Sequence, residues 1–119
     1  MRFSSIASRS MQKNDSYYIE KTLEEIEIVL EYSNEKSLYD LQMSNQLVDS
    51  IVFRLIQMAE FSDKISDQFK ILHPEINWSD MKGFRNRLVH DYGSVDLNFV
   101  YTAITHDIIE LKTFLLKYS

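Results

Sequence analysis

His73-Pro74-Glu75-Ile76-Asn77-Trp78-Ser79-Asp80-Met81-Lys82-Gly83-Phe84-Arg85-Asn86-Arg87-Leu88-Val89-His90-Asp91-Tyr92-Gly93 is the stretch that decides how this sequence reads. Pro74 stops whatever helix precedes it and pushes His73 toward an extended backbone. Asn77 or Ser79 then caps a new helix, and Gly93 is placed to end it. Within that helix sits a dense polar cluster: Arg85, His90 five positions on, and Tyr92 two further. A guanidinium stays charged and must be paired or hydrated, so grouping it with a histidine is costly in a core. The same pair can act on phosphate, with Arg holding anionic oxygens and His moving a proton.

Outward from this stretch the chain reads as helix on both sides. Ile19, Leu23, Ile26 and Leu30 recur at helical spacing and predict an amphipathic helix from about Asp15 to Ser33, capped by Asp15 or Ser16. A second helical stretch runs from about Leu38 to Lys70, with Leu41, Val48, Ile51, Leu55, Met58, Ile65 and Phe69 as its apolar positions. At that length it is expected to bend or divide near Phe61-Ser62-Asp63. Asp96 caps a last helix with an apolar face of Val100, Ile104, Ile108, Leu111 and Leu115. No alternating strand pattern and no repeat is present. The expected fold is all-α, an up-and-down bundle of four to five helices.

Composition narrows the function. A chain of 119 residues is one domain with a single core. The absence of cysteine excludes disulfides, thiolate metal sites and a cysteine nucleophile. His73, His90 and His106 share no metal-ligand spacing, so neither metal nor cofactor is expected. Gly83 and Gly93 cannot form a phosphate loop, and no nucleophile elbow is present. No apolar run is long enough for a membrane span, and a cytoplasmic protein is expected. The net charge of −5 argues against a generic nucleic-acid coat. That charge is uneven: Glu20, Glu24, Glu25, Glu27, Glu31 and Glu35 crowd the first helix. Between Asp80 and Tyr92, by contrast, Lys82, Arg85 and Arg87 outnumber Asp80 and Asp91. Residues 1–10 differ from the rest, being rich in serine and without helical period, and read as a flexible N-terminal extension preceding a domain of residues 11–119.

With the lead-in from His73 to Trp78, the Met81–Phe84 approach and the Arg-x4-His-x-Tyr motif, the sequence resembles the HEPN superfamily, most closely its HepT toxin branch. The resemblance is loose in the helices from Met11 onward and tight between Pro74 and Gly93. It implies a dimeric helical domain that cleaves RNA without metal through attack of the 2′-hydroxyl. In that chemistry His90 serves as base and Arg85 stabilises charge on the phosphate. It also implies a toxin–antitoxin pair of type VII, in which a cognate nucleotidyltransferase transfers AMP to Tyr92. Many small HEPN domains are instead non-catalytic partners of nucleotidyltransferases, and that is the alternative reading. Neither reading involves DNA or a membrane.

Helical geometry poses a problem for the catalytic pair. At 100° per residue, Arg85 and His90 lie about 140° apart around a straight helix and cannot converge on one phosphate. Either the helix unwinds near His90, or the site is composite, with two copies facing each other across a two-fold axis. The resemblance favours the second. Asn86, one turn before His90, can orient its ring. Lys82 and Arg87 are candidate contacts to RNA or to a partner, although a solvated surface arginine is the plainer reading of Arg87. Glu60 is a candidate additional polar group at the cleft. Trp78 is expected to pack the loop after Pro74, and His106 to be solvated.

Overall fold

The computed structural model of the chain describes residues 14–90 and 96–119. The expectations for residues 1–13, including the N-terminal extension, and for Asp91, Tyr92 and Gly93 lie outside the described residues. Among those described, the structure is helical without strands. The order is α1 (Asp15–Ser33), α2 (Leu38–Gln42), α3 (Asn45–Asp63), α4 (Asp67–Leu72), α5 (Trp78–His90), α6 (Leu97–Thr102) and α7 (Ile108–Leu115). One π-helical turn, Ala103–Asp107, joins α6 to α7, and a 3₁₀ turn, Leu116–Tyr118, follows α7. The long rods are α1, α3, α5 and the α6–α7 unit; α2 and α4 are short helices within the connections.

The α1 and α3 helices share the largest contact, α5 lies against α3, and α7 closes on α1. Their common core contains Ile19, Ile26, Val29, Ile51, Leu55, Phe69, Val100, Ile108 and Leu115. The expected apolar face of α1 is rotated slightly: Val29 takes the buried position and Leu30 is only partly covered. Glu25, one of the acids that crowd this helix, is buried and pairs with Arg54 of α3 at 3.3 Å.

Two helix ends differ from expectation. The cap position of α1 is Asn14, without a side-chain hydrogen bond. Asp15 has a different role: its carboxylate accepts from the Ser66 amide at 2.8 Å and the Ser66 hydroxyl at 2.7 Å. It thus ties the start of α1 to the start of α4. The long central stretch divides where Phe61-Ser62-Asp63 predicts, and also at Met43-Ser44, where Ser44 caps α3 by accepting from the Leu47 amide. Elsewhere the sequence reading holds: Asn77 accepts from the Asp80 amide at the start of α5, and Asp96 accepts from the amides of Asn98 and Phe99.

The π turn has a physical reason. Val100, Ile104 and Ile108 are all buried but spaced by four, so on a 3.6-residue helix each step drifts by about 40°. A wider turn, closed by the Ile108 amide on the Ala103 carbonyl, keeps all three on the core face.

Candidate active site on the fifth helix

Helix α5 is fixed at its start by an aromatic cluster. The Trp78 indole N–H donates to the His73 carbonyl at 3.0 Å, and the Tyr118 hydroxyl lies 3.2 Å from His73 Nδ1. Phe69 is fully buried between them, its ring centre 4.3 Å from that of His73 and 5.2 Å from that of Tyr118. This is the structural role expected of Trp78. It joins the turn after Pro74 to the end of the chain and sets the direction in which α5 leaves.

Two further contacts fix how α5 is rotated. Leu88 is buried against the core, and Phe84 packs on Phe99 of α6 at 5.3 Å between ring centres. Arg87 also belongs to this face: its guanidinium stacks 4.0 Å from the Phe99 ring centre and donates to Asp96 at 3.0 Å. Arg87 is a surface arginine, as the plainer reading had it, with 47% of its side chain exposed, but it is held in place rather than free in solvent. Its charge is paired and its plane stacked, which suits arginine better than lysine.

On the other side α5 meets the C-terminal half of α3. Arg85 Nε lies 3.7 Å from a Glu60 carboxylate oxygen, and Lys82 Nζ lies 3.9 Å from Asp63. The helices run antiparallel, so positions three apart on α3 meet positions three apart on α5, with the order reversed. Lys70 joins the same group, donating to the Asp63 carbonyl at 2.8 Å. Glu60 thus stands beside Arg85, where the sequence suggested a further polar group. Asp63 was missed as a site residue. Its only signal is its spacing from Glu60, which has meaning once the pairing of α3 with α5 is known.

The cations of α5 that looked unopposed in the sequence each have a carboxylate partner in the fold. Arg85 and Lys82 nevertheless remain in reach of solvent, with 32% and 63% of their side chains exposed, and their pairs are longer than hydrogen bonds. A phosphate could displace either partner. Asn86 is exposed on the outer side of α5. The helix is regular through His90, so a single copy keeps positions 85 and 90 about 140° apart. Unwinding before His90 is not the resolution; any convergence of the two must involve another copy or the segment beyond.

The family model described as Ribonuclease HepT-like matches residues 22–118. The chain belongs to this family. A HepT-like relative from Thermococcus cleftensis, named "Probable ribonuclease HepT", is 31% identical over 102 residues, which is 86% of this chain and 93% of that protein. A protein of Caldanaerobacter subterraneus subsp. tengcongensis, whose name marks it as a candidate RNase, is 26% identical over 80% of this chain and 85% of its own length. A Methanocaldococcus jannaschii protein with the same kind of name is 26% identical over 86% of this chain and 94% of its own. No solved structure matches the chain. The HepT-like match begins at Thr22 inside α1, takes in the other six described α-helices and ends in the 3₁₀ turn. Among the described residues no helix is long and apolar enough to cross a membrane.

Proposed function

We propose that this HepT-like chain is an endoribonuclease that needs no metal and works as a two-fold dimer. The observation that carries the reading is family membership together with a solvent-reachable Arg85 on a helix that is regular to His90. In the dimer, α5 of each copy lines one cleft, so that Arg85 of one chain and His90 of the other can address the same phosphate. His90 takes the proton from the ribose 2′-hydroxyl, and the oxygen attacks phosphorus. The bond to the 5′-oxygen breaks, and that oxygen leaves with a proton from His90 of the partner subunit. The products are a 2′,3′-cyclic phosphate and a 5′-hydroxyl. Arg85 stabilises the charge that builds on the non-bridging oxygens.

Gly83 supports the dimer. It lies within α5, and a Cβ added there would meet nothing within 4 Å. A glycine inside a helix costs about 1 kcal/mol relative to alanine. Nothing within the described chain requires its small size, whereas a second helix crossing close to it would. Gly83→Leu is expected to yield monomers in light scattering; an unchanged dimer would place the interface elsewhere.

The decisive experiment measures RNA cleavage in EDTA. Arg85→Ala and His90→Ala should each lower the rate by roughly two to four orders of magnitude, with the helical circular dichroism retained. Cleavage that survives in both variants would overturn the assignment. We further propose that the chain is a cytoplasmic toxin silenced when a cognate nucleotidyltransferase attaches AMP to Tyr92. The added phosphodiester would bring a negative charge near Arg85, pairing with it and repelling RNA. Tyr92→Phe should then keep RNase activity and escape silencing; modification found on another residue would refute this.

One observation favours a second reading, a non-catalytic partner of such a nucleotidyltransferase: Lys82, Arg85 and Arg87 are all matched by carboxylates in their own chain. In that case the nucleotidyltransferase binds tightly but no RNA is cut.

A further inference from the structure

One face of α5 borders a groove of about 610 Å³ between α5, the turn before it, Met58 of α3, Phe99 of α6 and the π turn with α7. Its walls include Ile76, Met81, Phe84 and Phe99, all apolar and only partly buried. Its rim carries Glu75, Asp80, Asp107 and Glu110, all exposed. Among the described residues no lysine or arginine forms an ion pair with Glu75, Asp80 or Glu110. Among the described residues Asp107 pairs with its neighbour His106, at 3.1 Å. Arg87 also lines the groove but is held by Asp96, and His106 sits beside Asp107 and Glu110, so Glu75 and Asp80 are the rim carboxylates with no cation partner among the described residues. Exposed apolar surface with such an acidic edge fits a ligand that is apolar and basic at once.

The chain itself contains such a segment. Residues 1–13 hold Arg2, Arg9 and Lys13 with no acid, while all 18 acidic residues of the protein lie beyond them. Phe3, Ile6 and Met11 are interleaved with these cations. The segment is also long enough to reach. Asp15 is bonded to Ser66, one helical turn from Phe69. The Phe69 ring centre is 6.3 Å from that of Trp78, which adjoins Asn77 on the groove's edge. Extended chain covers about 3.3 Å per residue, so Ile6, eight positions before Asn14, can lie about 26 Å from it and Phe3 about 36 Å, whereas Arg9 is held within about 17 Å.

We propose that residues 1–13 dock in this groove of their own chain, with Phe3 and Ile6 against its apolar walls and Arg2 against its acidic rim. Among the described residues Arg85 and Lys82 do not line the groove, whereas Gly83, taken above as a dimer contact, does, so docking on a second copy is an outcome the test has to separate. Docking there would offset the acid beside α5, the helix that has to receive RNA.

The test uses the full chain. Because the protein lacks cysteine, Ser5→Cys introduces one thiol for a nitroxide label. Methyl signals of Met58, Met81 and Ile108, which line the groove, should lose most of their intensity. They should recover in Asp80→Lys/Glu110→Lys, and independently in wild-type protein at 1 M salt, where the Debye length falls to about 3 Å. Absent or uniform broadening overturns the proposal, as does broadening that survives both treatments. If the loss appears when label and methyl probes are on different chains, the segment docks on a second copy and the intramolecular assignment is wrong.

Discussion

Replacing Glu60 by glutamine should make this protein bind RNA more tightly, although the change is not at a residue expected to touch the chemistry. Glu60 stands 3.7 Å from Arg85 Nε, so under the proposed function it competes with a substrate phosphate for that guanidinium. Unit charges at that distance attract by about 1 kcal/mol at the dielectric constant of water and about 4.5 kcal/mol at an effective value of 20. Both side chains are substantially exposed, at 32% and 48%, so the pair belongs near the low figure. Measured exposed pairs contribute about 0.2–1 kcal/mol. Removing the charge but not the shape should therefore lower Kd by about 1.4- to 5-fold per site, since 1.4 kcal/mol corresponds to tenfold. Anisotropy with a 2′-O-methyl RNA, which lacks the attacking hydroxyl, reads binding without cleavage. Glu24→Gln on the exposed side of α1 is the control for a general change of charge. The gain should shrink as salt rises. If Glu60→Gln binds no more tightly than that control, or binds more weakly, the carboxylate is holding Arg85 in position rather than competing with phosphate.

Asp15→Ala should destabilise the fold by about 2–3 kcal/mol, because it leaves the Ser66 amide and hydroxyl without their buried charged acceptor; a urea midpoint within error of wild type would show that water replaces it freely. His106 is held above its ordinary pKa, first by its hydrogen bond to Asp107 and then by the charges of Asp107 and Glu110. Its stabilising contribution is therefore complete below the unfolded value near 6.5 and is lost as pH rises through the higher folded value. An NMR titration should place its midpoint above 6.5, and Asp107→Asn should bring it down; a midpoint at or below 6.5 refutes the pairing.

The helices were legible in the sequence because burial repeats along them. Asp15–Ser33 was given by the spacing of Ile19, Leu23 and Ile26, the division near Asp63 by its polar residues, and the starts of α5 and α6 by Asn77 and Asp96. These signals are local: a cap or an apolar stripe acts within one or two turns. Leu30, Asp15 and the π turn departed from expectation for a different reason. Each was settled by what lies across the interface, whether the rotation of α1 on α3, the amide of Ser66, or a core face that spacings of four could meet only with a wider turn.

For the candidate site the division is similar. The sequence alone determined that Arg85 and His90 share a helix, and that 140° separates them if it is regular. Only the tertiary structure decided that the helix is regular to His90, that Glu60 and Asp63 stand opposite Arg85 and Lys82, and that Arg87 is stacked on Phe99 beside Asp96. The composition suggested a basic patch because charges were counted along the chain. Folding matches them across helices more than twenty residues apart for Arg85 and nineteen for Lys82. Coulomb attraction depends on distance in space, and no spacing within α5 reveals which acids α3 will bring to it.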